Sequence, residues 1–198
     1  EISPREATIK KALGSVVAAQ QRLGEGAMLL REAIELDPDN AGAWADLGAI
    51  LLLRQDLGSA ADALKHVPGV EVVSAVRAGD GRALGHHVNV TAVDPQVAKV
   101  ISLKWSAGST ATPAQLGANG AIVAKQYAKD HHLSVGTPIP LLVPSGKTVR
   151  LRLAGIFDPP KGGSPFGDIT ISTATFDRNY ANPTNLFSFI KVAGGVTP

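Results

Sequence analysis

The sequence contains no cysteine. That excludes a disulfide framework, a thiolate metal site and a cysteine nucleophile. Aromatic residues make up only 5% of the 198 residues, and 19 Lys plus Arg stand against 17 Asp plus Glu. A net charge of +2 is a small surplus without a basic stripe, and few rings are available to stack on bases, so no nucleic-acid partner is expected. Long hydrophobic runs are missing too: stretches such as GAILLL at 48–53 fall far short of the roughly 20 residues that span a bilayer. Residue 1 is Glu and no basic-then-apolar leader follows, which reads as a mature or excised segment. What the chain does have is 44% hydrophobic residues, enough to build the core of one large domain or two small ones.

The texture changes at LKHVPGVEVVSAVR, residues 64–77. Before it, apolar residues recur at helical spacing. SPRE at 3–6 predicts a helix start, with Ser3 as N-cap, Pro4 at the first helical position and Glu6 closing a capping box, and the helix runs to about Leu23. GEG at 24–26 is expected to interrupt it. A second helix follows with Ala27, Leu30, Ala33 and Ile34 on one face, and DPDN at 37–40 stops that helix and caps the next through Asp39 or Asn40.

Within this segment, AIELDPDNAGAWADLGAILLLRQDLGSAADAL at 33–64 resembles a tetratricopeptide repeat. Trp44, Leu47, Gly48 and Leu51 fall on one helix, Leu57, Ala60 and Leu64 on a second. The large residues would fill the space between the paired helices while Gly48 and Ala60 let the backbones close. Gln55 replaces the usual glycine between the helices, and the upstream unit is short. The resemblance implies peptide capture on an inner face made of Gly42, Ala45, Ala49 and Leu52, or a plain helical packing element.

After the seam the pattern is alternation. Val88, Val90 and Ala92 oppose Asn89 and Thr91; Val149, Leu151 and Leu153 oppose Thr148, Arg150 and Arg152; Ile169 and Ile171 oppose Asp168, Thr170 and Ser172. Two helical pieces intervene, PQVAKVISL at 95–103 and AKQYAKDHH at 124–132, and PSGK at 144–147 is a turn between strands. The order of elements predicts an α+β fold: N-terminal helical hairpins over 1–66, packed on a mixed α/β domain over 67–198 with a small β-rich subdomain near 121–158. Only VPG separates the last helix from the first strand, so Leu57, Ala60 and Leu64 are expected to bury their face on the sheet.

Four ordered segments of this second part resemble the extracytoplasmic (periplasmic) core domain of MacB-like and FtsX-like ABC transporter permeases: VPGVEVVSAVR, VNVTAVDPQVAKVISLKWSAGS, GAIVAKQYAKDHHLSVGTPIPLLVPSGKTVRLRLAGIFD and GDITISTATFDRNY. Thr137 stands where that family commonly has Asp. The resemblance implies a non-catalytic module on the extracytoplasmic side of the membrane. Its partners would be the membrane-embedded part of the same permease and its ATPase subunit, with an extracytoplasmic partner protein or substrate as a further contact. The alternative is a helical-repeat protein interaction adaptor with an appended α+β domain.

The residues themselves offer little chemistry. Four of the five histidines occur as the adjacent pairs His86-His87 and His131-His132, which point apart on a strand and about 100° apart on a helix, so neither pair chelates an ion. No G-x-S-x-G motif is present, and RAGDGRALG at 77–85 lacks the Lys-Ser or Lys-Thr of a phosphate loop and reads as a hairpin with GDG as turn. DPPKGGSPFGD at 158–168 reads as an exposed loop, either a linker or a partner contact through Lys161 and Phe166; Arg150 and Arg152 read as a solvated strand face. No catalytic residue, cofactor or metal is expected.

Overall fold

Four helices open the chain in the computed structural model, which describes residues 4–54, 56–161, 163–181, 183 and 185–193. They are α1 (Pro4–Ala19), α2 (Leu23–Leu36), α3 (Ala41–Leu53) and α4 (Leu57–Leu64). The cap expected at Ser3, the loop position Gln55 and the side chain of Leu57 lie outside the described residues.

The first break falls earlier than the sequence predicts. α1 ends at Ala19, the chain reverses through Gln21 at φ 67°, and GEG lies inside α2. The reason is packing. A Cβ on Gly26 would sit 2.8 Å from the Ala18 Cβ and 2.9 Å from the Gly14 carbonyl oxygen, and a Cβ on Gly14 would sit 2.9 Å from Leu30 Cγ. These two glycines let the backbones of α1 and α2 meet, so helix propensity yields to close approach. Lys10 to Glu32 at 2.7 Å and Lys11 to Asp46 at 2.9 Å pair along the flanks of α1.

The later helices start where short polar side chains can accept from free N–H groups. Asn40 accepts from the Ala43 N–H at 3.0 Å, and Asp56 accepts from the Ser59 N–H at 3.2 Å. Leu30, Leu47, Ile50, Leu51 and Ala60 form one buried cluster. Gly48 is the site of close approach between α3 and α4, since a Cβ there would meet Leu64 Cδ2 at 3.0 Å. Ala60 and Leu64 have close neighbours within the helical unit itself.

The strand-rich part contains β1 (Val70–Ala83), β2 (His86–Val93), α5 (Val97–Val100), β3 (Lys104–Ala107), β4 (Gly120–Ala124), α6 (Lys125–Asp130), β5 (Pro138–Leu142), β6 (Thr148–Asp158), β7 (Ile169–Ser172), α7 (Thr173–Asn179) and β8 (Asn185–Val192). The sheet is mixed: β2–β7 and β4–β6 are parallel, and β1–β2, β4–β7 and β5–β6 are antiparallel. Helices followed by this sheet make the fold α+β. Its strand order is β2-β7-β4-β6-β5-β1-β8, and β1 also pairs with β2, so six strands form a closed ring. Val88, Val90, Ala121, Val123, Ile139, Leu141, Leu151, Leu153, Ile169 and Ile171 fill one core from that ring.

Three local features depart from simple alternation. GDG is not the turn: Gly79 and Gly81 lie within β1, and the hairpin reverses at Leu84 (φ 53°) and Gly85 (φ 83°). A Cβ on Gly79 would meet the rings of Tyr180 and Phe176, so that glycine makes room for aromatics. Thr91 and Thr170, placed on the solvent face by pattern, are buried and share a hydrogen bond of 2.8 Å, because the parallel β2–β7 pair is covered on both faces. A register shift opposite Ala121 and Ile122 leaves Ala154 as the extra residue in β6, and beyond it Phe157 joins a second core with Val76, Val93, Ile122 and Phe166. The chain divides into two units, one of residues to Val73 plus those from Ile190, the other of Ser74–Phe189.

Candidate functional site

The helical unit carries a cleft of about 380 Å³ between α2, α3 and α4. Its floor is Leu47 and Leu51, both buried, and its rim holds Arg31, Glu35 and Asp62. Trp44 forms a wall. Its Nε1–H donates to the Pro38 carbonyl at 2.8 Å and its ring stacks on His66 at 4.1 Å, so the indole is fixed in orientation. An apolar floor, a rigid aromatic wall and mixed charge at the rim suit capture of an apolar side chain flanked by polar groups. The inner face expected from the repeat resemblance is exposed at Gly42, Ala49 and Leu52 and half-buried at Ala45. None of these four lines the cleft.

In the sheet unit several acidic, basic and phenolic side chains are held in structural roles. Asp94 of the phrase AVDP accepts from the Ser74 hydroxyl and the Gln96 N–H through Oδ1, and from the Ala75 N–H through Oδ2, tying β1 to the end of β2. Asp158 accepts from the Ser106 hydroxyl at 2.9 Å and pairs with Lys125 at 3.3 Å; that hydroxyl first, then the ammonium, holds its carboxyl below the ordinary range. Asp168 accepts from the Asn89 N–H at 2.8 Å. Arg77 and Asp177 form an ion pair. Tyr180 donates to the Asp80 carbonyl, and burial, then the nearby Asp80 charge, pushes its phenol up to about 12.

Arg150 and Arg152 are exposed on β6 as expected, with Arg152 Nη1 donating to the Gly136 carbonyl at 2.8 Å. In the 158–168 loop Lys161 is exposed, whereas Phe166 is buried edge-on against Phe157 and cannot serve as a contact residue. The loop had to be anchored by some apolar group, and Phe166 is that anchor. Among the described residues, no group of three or more His, Asp and Glu gathers to hold an ion. His87 lies 3.2 Å from Asp80, and His86 and His131, far apart in sequence, come within ring contact. Spacing gave no signal for that encounter.

A helical layer with a cleft, followed by a mixed sheet, defines an α+β domain whose surfaces offer contacts. Residues 13–198 match the model of the MacB-like periplasmic core domain, and the chain belongs to that family. The match starts at residue 13 and takes in most of the helical segment, a wider span than the resemblance over 67–198. Three solved structures share the fold. The extracellular domain of the noncanonic ABC-type transporter YknZ from Gram-positive bacteria is 15% identical with a TM-score of 0.53, over 68% of this chain and 72% of that one. The periplasmic region of MacB from Actinobacillus actinomycetemcomitans is 13% identical with a TM-score of 0.52, over 69% and 64%. A domain ascribed to a permease of Porphyromonas gingivalis is 14% identical with a TM-score of 0.51, over 67% of this chain and 60% of that one. This chain therefore spans less than two thirds of two of these neighbours. No curated protein matches the sequence.

Family membership makes this a MacB-like periplasmic core domain, on the extracytoplasmic side of the membrane. Among the described residues no helix is long and apolar enough to cross that membrane.

Proposed function

We propose that the chain works as a non-catalytic extracytoplasmic module of an ABC-type permease, relaying conformational change from the membrane-embedded part and its ATPase subunit to a substrate or partner protein. The family match across residues 13–198 carries this reading. The closed strand ring supports it, because each of its six strands is hydrogen-bonded to a ring neighbour on both sides, which suits a module that passes on motion. The Trp44 cleft supports a contact role for the helical unit, since an immobilised aromatic wall costs little entropy on binding.

The test uses the permease that carries this domain, in vesicles with its ATPase. Deleting residues 74–189 should leave ATP hydrolysis measurable and abolish its coupling to transport. Unchanged transport in the deletion, or turnover by the purified domain, would refute the proposal.

A further inference from the structure

The two adjacent histidine pairs cannot chelate as pairs, but the fold takes one member of each and sets them together. His86 opens β2 straight after the two-residue turn at Leu84 and Gly85, in register with Ala83. Strand alternation puts it on the side of Val88 and Val90, the face of the ring core, while His87 turns the other way toward Asp80. His131 ends α6. Its backbone N–H donates to the Tyr127 carbonyl at 3.2 Å, and its ring lies 4.4 Å from that of Tyr127, which packs against the same core as Leu84. The His86 and His131 ring centroids are then 5.7 Å apart with 50° between their planes.

From this geometry we propose that His86 and His131 bind a divalent transition-metal ion between their rings, of the class that favours imidazole: Zn²⁺, Ni²⁺ or Cu²⁺. With metal–nitrogen bonds of about 2.1 Å and an angle at the metal between tetrahedral and trigonal, two ligating imidazoles place their centroids about 5–6 Å apart. The observed centroid separation of 5.7 Å falls in that range. Both rings are also placed by tight local structure, a two-residue turn and a helix end, so little ordering entropy is lost on binding. Two protein donors leave the other positions to water. Affinity is therefore moderate, follows the order Cu²⁺ above Ni²⁺ and Zn²⁺, and is absent for Mg²⁺ and Ca²⁺, which need oxygen ligands. The ion would staple the β1–β2 hairpin tip to the end of α6, two elements 45 residues apart by number.

The experiment is calorimetric titration of the whole chain with ZnCl₂ and with NiCl₂ in a non-chelating buffer, for the parent and for His86→Ala, His131→Ala, His87→Ala and His132→Ala. One ion should bind the parent. Losing either half of a bivalent site should weaken binding by about a hundredfold, so His86→Ala and His131→Ala lose most of the affinity, while His87→Ala and His132→Ala keep it. Parental affinity in His86→Ala and His131→Ala overturns the proposal, as does equal weakening by the two controls or absence of binding to the parent. A second reading needs no variant: in the parent, Ni²⁺ should broaden the imidazole proton signals of His86 and His131 first. Prior broadening at His66, His87 or His132 overturns the assignment.

Discussion

Gly24 and Gly26 stand two residues apart in one helix, and the structure gives them opposite responses to the same substitution. A Cβ on Gly24 meets nothing within 4 Å, so Gly24→Ala collects only the helix-propensity gain, up to about 1 kcal/mol. A Cβ on Gly26 meets the Ala18 Cβ at 2.8 Å, the Gly14 carbonyl oxygen at 2.9 Å and the Ala18 amide nitrogen at 3.1 Å. Two of those three are backbone atoms and cannot rotate away. α1 must retreat by a fraction of an ångström, which loosens its whole contact with α2, and overpacking of this kind costs about 1–3 kcal/mol. Set against the same propensity gain, Gly26→Ala should be destabilising by up to about 2 kcal/mol. Gly26→Val should cost more, having a larger volume and a β-branch. Urea unfolding followed by far-UV circular dichroism, which weights the helices, reads both signs in one series. If Gly26→Ala raises the midpoint as Gly24→Ala does, the helices are not held by backbone contact at these glycines and the argument fails.

Phe157 is fully buried and lies edge-on to both Trp105 and Phe166, so Phe157→Ala should cost about 3–5 kcal/mol in thermal or urea melts, and a loss under about 1 kcal/mol would refute its place in the second core. The Asp46 carboxyl sits below its ordinary value of 3.8: burial pushes upward, but the Ser15 hydroxyl and the Lys11 ammonium outweigh it. A depressed folded-state pKa means stability that is present above 3.8 and lost as pH falls through the lower folded value. Asp46→Asn should therefore make the unfolding midpoint fall less steeply on acidification below that point, and an acid limb identical to the parent's would show that the Ser15–Asp46–Lys11 contact contributes nothing.

The fold class and most element positions were legible because hydrophobic period is a local signal: Val88, Val90, Leu151, Leu153, Ile169 and Ile171 are buried as their alternation requires. Asn40 as cap followed from the same kind of short-range chemistry. What failed was reading glycine as punctuation. Gly24, Gly26, Gly79 and Gly81 all lie inside regular elements, and for Gly26 and Gly79 the cause is a neighbour distant in sequence, Gly14 and Ala18 in one case, Phe176 and Tyr180 in the other. Thr91 and Thr170 misled for a related reason, since a hydroxyl can be buried once another hydroxyl meets it. The Trp44 cleft was half legible, through the repeat-like spacing, but its rim residues Arg31 and Glu35 come from α2, the helix before the pair that carries that spacing. The His86–His131 encounter depends on a hairpin tip meeting a helix end, which no spacing rule encodes.

The closed ring also sets an order of events during folding. β2 pairs with β7 through Val90↔Ile169 to Val93↔Ser172, and partners such as Thr91 and Thr170 are 79 positions apart. Every other pairing in the ring, β4–β7 included, can form over a shorter loop, so the loop-closure entropy of β2–β7 is the largest to be met before the core it shares is sealed. The helical unit, built from contacts between successive helices, carries no such delay. Refolding should accordingly show helix signal well before protection of the Ile169–Ser172 amides, and until residue 172 has joined, the ring stays a five-strand sheet, β4-β6-β5-β1-β2, whose apolar inner face remains open to solvent along the gap that β7 fills.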